Sequence, residues 1–561
     1  MNWASSMAVD YSDWSKEDLV AELKKLTRRK KFGLVWEESA EDIALELHEN
    51  LPVVEHIKSK GFRLGESDPA NLLIEGDNLN TLHVLGYTHQ SAIDLIYIDP
   101  PYNTGLKDFR YNDHWVRPDD SYKHSKWLSF ISKRLLLARN LLSDDGAIFI
   151  SIDNNEQAQL KLLGDEVFGE ANFIGTLIWR KKEGGGQTDQ YFVTEHEYIM
   201  GWAKTSQYKW QDEVIEDDGS AFNKSDEKGA YKSVKLAKWG NTARRVDRPK
   251  MYFSINAPDG KKVFPAAPDG GEGRWRVGAK RMAALLEENL VEFVQRDGKW
   301  IPYEKVYFTE GDTKTIKERS IIYDIAGTAD GTNELTQIFG EKDIFQNPKP
   351  TALLQHLIAY ATKKDALILD FFAGSGSTGH AVLNLNAEDG GNRRFILATD
   401  DVVDEKICTE VCHPRLTKVL KGFTDKKGTK IEGLEGSLAY FKTKLVPSKP
   451  TDANKFFISK QAVGTLCIKE SCYISVSESE GFSVFRNNSQ ILGIVFGESN
   501  IEAFKNQIKG TSENASVYIF SLSGDDFTEE FAEFKGRVKS KPIPQGLLNA
   551  YVRSQRVIRT K

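Results

Sequence analysis

An aspartate, two prolines and a tyrosine, Asp99-Pro100-Pro101-Tyr102, follow directly on the apolar run Ile93-Asp94-Leu95-Ile96-Tyr97-Ile98. About 270 residues later a second apolar run, Ala366-Leu367-Ile368-Leu369-Asp370, passes into Phe371-Phe372-Ala373-Gly374-Ser375-Gly376-Ser377-Thr378. The first pattern suits a site that grips an amino group conjugated with a ring. Such an amine is a poor nucleophile, because its lone pair is delocalised. Accepting hydrogen bonds from both N–H bonds returns the lone pair to nitrogen. The Asp99 carboxylate supplies one acceptor and the Pro100 carbonyl the other, on a backbone that two prolines stiffen. Tyr102 offers a flat face for stacking, worth about 1–3 kcal/mol per base. The plain alternative is a strand followed by a stiff turn with no chemistry.

The second pattern suits a loop that holds a small ligand. Gly374 and Gly376 allow close backbone approach, having no Cβ. A helix is predicted from about Ser377, and its free N–H groups favour a carboxylate. No Gly-Lys-Ser/Thr follows, so the loop is not a phosphate-binding P-loop. Asp400 and Asp401 close the next apolar run, Phe395-Ile396-Leu397-Ala398. An acid roughly 20–25 residues after such a loop commonly holds ribose hydroxyls; otherwise it marks a solvated turn.

Both motifs need strands of a parallel sheet to bring them together. Trp127, Leu128, Ile131, Leu135, Ala138 and Leu142 form a helical stripe, and Asp144-Asp145-Gly146 turns the chain into a strand over 147–152. That is a βαβ pattern. Near the start, Ser15-Lys16-Glu17-Asp18 reads as a capping box followed by Leu19, Leu23 and Leu26, with six basic residues between Lys24 and Lys31. Residues 206–340 change character, with short strands and turns at Asp218-Gly219, Pro258-Asp259-Gly260 and Pro268-Asp269-Gly270. Between 231 and 281 thirteen Lys or Arg face four Asp or Glu, with aromatics interleaved, although the whole chain carries a formal −6. That local excess is the footprint of a phosphate-binding surface, with Lys238, Arg244, Arg245, Arg248, Arg274 and Arg276 as candidate contacts.

Composition limits the alternatives. The 561 residues predict three or four domains, and 40% hydrophobic with 28% charged residues is ordinary for a soluble protein. Four cysteines are too few for a disulfide framework. Cys408 and Cys412, beside His413, are read as structural thiols, with no metal site. No apolar segment reaches the ~20 residues of a membrane span, and no export signal is evident, so a cytoplasmic location with no membrane association is expected. The predicted divisions are a helical region at 1–61, two halves of a catalytic domain at 62–205 and 341–445, an insertion at 206–340 and a C-terminal domain at 446–561.

In this order the motifs resemble the beta class of S-adenosylmethionine-dependent DNA adenine-N6 methyltransferases, most closely the methylation (Mod) subunits of type III restriction–modification systems. The resemblance is carried by Asn71-Leu72-Leu73-Ile74-Glu75-Gly76-Asp77-Asn78-Leu79 and by Asp99-Pro100-Pro101-Tyr102 with its Asn103-Thr104-Gly105 extension. Thr194-Glu195-His196-Glu197-Tyr198-Ile199, Asn347-Pro348-Lys349-Pro350 and the glycine loop also carry it. It implies an α/β, Rossmann-like methyltransferase domain with an inserted target recognition domain and a small C-terminal α/β domain. By the same resemblance Asp99, Pro100, Pro101 and Tyr102 would hold the adenine. Asp77, Lys349, Phe371, Ala373, Gly374, Gly376 and Asp400 would surround S-adenosyl-L-methionine. The implied partners are duplex DNA with its target base flipped out, a second copy of the chain, and a helicase–nuclease restriction subunit. The rival readings are a solitary adenine enzyme, a cytosine-N4 enzyme, an RNA adenine enzyme and a non-catalytic recognition subunit.

Overall fold

The computed structural model describes residues 15–16, 19–20, 36–63, 71–106, 108–112, 114–184, 191–309, 311, 313–401 and 405–559. Most of the expected N-terminal helix, with the basic run at 24–31, lies outside the described residues. The chain divides into two compact units, Asp212–Glu318 and the remainder.

A ten-stranded sheet organises the larger unit. Its strands are β1 (Asn50–His56), β2 (Asn71–Glu75), β3 (Ile93–Ile98), β4 (Leu142–Ile152), β5 (Phe173–Arg180), β6 (His196–Ala203), β7 (Ile321–Ile322), β8 (Leu367–Asp370), β9 (Arg394–Thr399) and β10 (Leu438–Pro447). Across the sheet they run β1-β10-β2-β9-β8-β3-β4-β6-β5-β7. From β10 to β4 every neighbouring pair is parallel. Such strands are covered on both faces, which is why β2, β3, β8 and β9 read as nearly unbroken apolar runs. The helices of this unit used below are α1 (Asn78–Thr88), α2 (Lys123–Leu141), α3 (Thr328–Phe339), α4 (Thr351–Ala361), α5 (Ser377–Asp389) and α6 (Gln545–Arg559). Alternate residues feed alternate layers. Ile96 and Ile98 bury with Leu82 of α1 and with Ile131 and Leu135 of α2. Leu95 and Tyr97 bury on the other face with Leu353 and Leu357 of α4 and Val382 of α5.

Two predicted divisions need correction. Residues 1–61 were expected to be helical, yet Asn50–His56 form an edge strand antiparallel to β10. Leu51, Val53 and Val54 are fully buried there, and β-branched residues fit that position better than a helix. The insertion was expected to run to 340, but β7 pairs with β5 and α3 belongs to the larger unit. The smaller unit has its own antiparallel sheet, Lys224–Asp226, Gly229–Lys235, Lys299–Tyr307 and Val291–Arg296. It closes over Leu236, Trp275, Met282 and Leu285.

Residues 474–543 form a five-stranded sheet with its own core, including Val484, Phe504 and Val517. This region is nonetheless part of the larger unit. On α6, Ser554 bonds His83 of α1 at 2.7 Å, and the Tyr551 hydroxyl donates to the Asn50 carbonyl at 2.7 Å. All four cysteines are buried thiols. Among the described residues no helix is long and apolar enough to cross a membrane.

Candidate active site

The parallel register places the ends of β2, β9, β8 and β3 side by side, and open α/β sheets bind ligands at that edge. Asp99 follows β3 immediately, and Asp370 ends the neighbouring β8. The two sequence motifs therefore meet because Ile368 and Leu369 pair with Leu95 and Ile96.

Around Asp99 lies a charge network. Lys349 donates to Asp99 Oδ2 at 2.8 Å and to the Tyr102 hydroxyl at 2.9 Å. It also approaches Glu197 Oε2 at 3.4 Å. The Tyr102 hydroxyl lies 2.7 Å from Asp99 Oδ1 and 3.1 Å from Glu197 Oε2. Lys181 donates to Glu197 Oε1 at 2.9 Å. Two carboxylates thus face two ammoniums. Burial alone would lower the Lys349 pKa, but Asp99 and Glu197 more than offset it and hold the ammonium above its usual value. Burial works against Glu197 as an anion, yet Lys349 and then Lys181 keep its pKa below the usual carboxylate range. Burial, reinforced by Asp99 and Glu197, keeps Tyr102 a neutral phenol. The Lys349 ammonium lies 5.1 Å from the centre of the Tyr102 ring.

The backbone of the motif is fixed from behind. The Trp127 indole donates to the Pro101 carbonyl at 2.7 Å. Asn103 is fully buried with φ +59°, and its amide reaches Glu156 at 2.5 Å and the Lys123 carbonyl at 3.1 Å. Gly105 has φ +81°, and a Cβ there would stand 2.6 Å from the Pro118 ring. The Asn-Thr-Gly extension is therefore a demand for left-handed backbone.

The glycine loop is tied to its neighbours. The Ala373 N–H donates to the Ala398 carbonyl of β9 at 3.1 Å. Asp370 accepts from Thr378 Oγ1 at 2.5 Å and from the Phe372 N–H at 2.9 Å. Burial pushes its pKa up to about 7 despite those bonds. Gly376 has φ +81°, and a Cβ there would meet Cys412 Sγ at 3.0 Å. Beside the loop, Asp77 caps α1 by accepting from the Leu79 and Asn80 N–H groups at 2.7 and 3.3 Å. Asp401 accepts from the Thr409 N–H at 3.0 Å and its hydroxyl at 2.6 Å, so it braces the turn at 407–412. Asp400 is the acid left for a ligand. Burial, with Asp77 next to it in effect, raises its pKa.

Several predicted site residues fall elsewhere. Phe371 is fully buried and packs with Leu367 and Leu369 in the core, so it has no face for a ligand; Phe372 is the half-buried neighbour. Lys349, expected on the cofactor side, lies against Asp99 because a buried ammonium needs counter-charges. Glu197, Lys181 and Asp370 had been assigned no role. In the smaller unit Arg274 is buried and bonded to Thr242, which makes it structural and not a phosphate contact. Arg244 pairs with Asp269 at 2.7 Å, and Arg245 pairs with Glu272 at 3.0 Å. The few acids of this region are thus spent on its most prominent arginines. Lys238 is half-buried, whereas Arg248 and Arg276 are exposed. Neither exposed arginine has an ion pair among the described residues.

Comparison with known proteins places these elements in context. A family described as DNA methylase matches residues 93–411. The chain is 38% identical to the Type III restriction-modification enzyme EcoPI Mod subunit of Escherichia phage P1, over 60% of this chain and 58% of that protein. It is 37% identical to the Type III restriction-modification enzyme StyLTI Mod subunit of Salmonella typhimurium, over 59% of this chain and 52% of that protein. The chain thus spans little more than half the length of these two relatives. It is 36% identical to the Type II methyltransferase M.KpnI of Klebsiella pneumoniae, over 64% of this chain and 89% of that protein.

Proposed function

This chain belongs to the DNA methylase family, and from that premise we propose that it methylates adenine N6 in duplex DNA with S-adenosyl-L-methionine, as the modification subunit of a type III system. The observation that carries the reading is the adjacency of β3 and β8, which sets Asp99 and the glycine loop at one sheet edge. Asp99 and the Pro100 carbonyl accept the two N–H bonds of the adenine amine. Lys349 holds the Asp99 side chain in place, and Tyr102 supports the ring by stacking. The base must leave the duplex to reach this position, which costs a few kcal/mol and is offset by stacking and edge contacts.

The residues present fit the cofactor. The Gly374–Gly376 turn follows β8, Asp400 follows β9 and Asp77 follows β2, three successive strands of the sheet, so acids are available as acceptors for ribose hydroxyls and an ammonium. When bound, the cofactor supplies an electrophilic methyl group on a sulfonium. The protein contributes alignment of the amine with that methyl, and Asp99 or water takes the released proton. In the smaller unit, Arg248 and Arg276, exposed and without an ion pair among the described residues, are the arginines proposed to meet phosphate. A second copy of the chain and a restriction subunit are the partners proposed with this assignment, and the site of action is the cytoplasm. A second reading, a type II methyltransferase working without a partner subunit, is favoured by the 89% span of the Klebsiella relative.

The test is transfer of radiolabelled methyl to unmethylated plasmid DNA, followed by digestion to nucleosides. N6-methyldeoxyadenosine is the expected product, and Asp99→Ala should abolish it while changing cofactor affinity only a few-fold. Label in N4-methyldeoxycytidine would overturn the base assignment. Full activity in the Asp99 variant would overturn the catalytic one.

A further inference from the structure

Glu334, on α3, touches both halves of the candidate site. Its Oε1 accepts from the Thr351 hydroxyl at 2.8 Å and from the Thr351 N–H at 3.2 Å. Thr351 opens α4 directly after Pro350, whose side chain cannot cap the helix. Glu334 therefore serves an N–H that the sequence leaves without a local partner. Two residues before Thr351 stands Lys349, paired with Asp99. The backbone of α3 presses on the same stretch, since a Cβ at Gly331 would lie 2.2 Å from the Pro348 carbonyl oxygen.

The other Glu334 oxygen faces Arg415, 3.3 Å from Nη2. Arg415 is fully buried beneath the glycine loop. Its Nη1 donates to Ser375 Oγ at 3.0 Å and to Ser377 Oγ at 2.9 Å. A buried guanidinium with two hydroxyl acceptors needs an anion, and Glu334 supplies it. One carboxylate thus connects the glycine loop to the start of the helix that follows Lys349.

We propose that Glu334 is a positioning residue that holds the glycine loop and Lys349 in one arrangement, so that the cofactor site and the base site respond to one another. This rests on the glycine loop being the S-adenosylmethionine loop. Ser375/Ser377, Arg415, Glu334 and Thr351 form a bonded chain that ends two residues from Lys349, the contiguous kind of network through which two sites can be coupled.

The probe is S-adenosylhomocysteine titrated by calorimetry, with kcat and KM for methyl transfer to plasmid DNA measured alongside. Glu334→Gln keeps the shape and an acceptor for Thr351 while removing the charge facing Arg415. It should weaken S-adenosylhomocysteine about tenfold. The double variant Ser375→Ala/Ser377→Ala should do the same, and the combination should be no worse than either, because both act through Arg415. Thr351→Val reads the other arm: at saturating cofactor kcat should fall with affinity unchanged, since Thr351 joins Glu334 to the start of α4. Additive losses, an unchanged kcat in Thr351→Val, or unchanged affinity in the serine variant would overturn the proposal. Should Glu334→Gln not fold, the serine variant and Thr351→Val still read the two arms separately. Failure of the wild-type protein to bind the probe would instead remove the cofactor reading itself.

Discussion

Replacing Lys349 with methionine tests the charge network directly. The side chain is 10% exposed, as is Glu197, and Asp99 is 26% exposed. Methionine fills a similar volume but leaves two carboxylates facing only Lys181. Removing one partner of a buried pair typically costs 3–5 kcal/mol. Asp99 retains some water, so the lower figure, about 3 kcal/mol, applies here. The sign follows from Glu197, whose pKa Lys349 holds below its usual value. In the wild type that depression contributes stability above the unfolded carboxylate pKa, and the contribution is lost as pH falls through the lowered folded value. In the variant Glu197 loses that depression, so the folded state binds more protons than the wild type does between the two folded values. The stability gap must therefore widen as pH rises through the carboxylate range. Urea midpoints followed by tryptophan fluorescence at several pH values would measure it. A gap that stays flat, or narrows with rising pH, would refute the argument that Lys349 neutralises this site.

Other outcomes follow from the same geometry. Asp400→Ala should weaken S-adenosylhomocysteine about tenfold with little change in thermal midpoint, whereas Asp401→Ala should lower the midpoint first, because Asp401 braces Thr409. The reverse pattern would exchange the two acids. Arg248→Ala and Arg276→Ala should each reduce the salt slope of DNA binding by about 0.9. Arg244→Ala should reduce it less, since Asp269 already pairs with that arginine. Equal slopes for all three variants would mean that the ion pair opens on DNA.

Much of the site could be read because it sits at the ends of buried parallel strands. Asp99 and Gly374 each follow an apolar run, and runs that end in an acid or a glycine mark a strand's carboxyl end. The strand period also held a distinction that was missed. Leu367, Leu369 and Phe371 share one face, so alternation sends Phe371 into the core and leaves Phe372 beside the pocket. The Lys349–Asp99 contact had no such local signal, since 250 residues separate the partners. Arg244 and Arg245 show the same gap between chain and space. A charge count sums over sequence, whereas Asp269 and Glu272 neutralise those two arginines in space.

The sheet order explains why a site can be built across so long an interval. β3 and β8 are neighbours, yet β4, β5, β6 and the whole of Asp212–Glu318 lie between them in the chain. Their pairing is set by Ile368 and Leu369 against Leu95 and Ile96, all fully buried. Among the described residues the smaller unit contributes no strand to this sheet. Its sequence is therefore free to change without disturbing the pairing of β3 with β8, provided the chain returns at β7 to pair with β5.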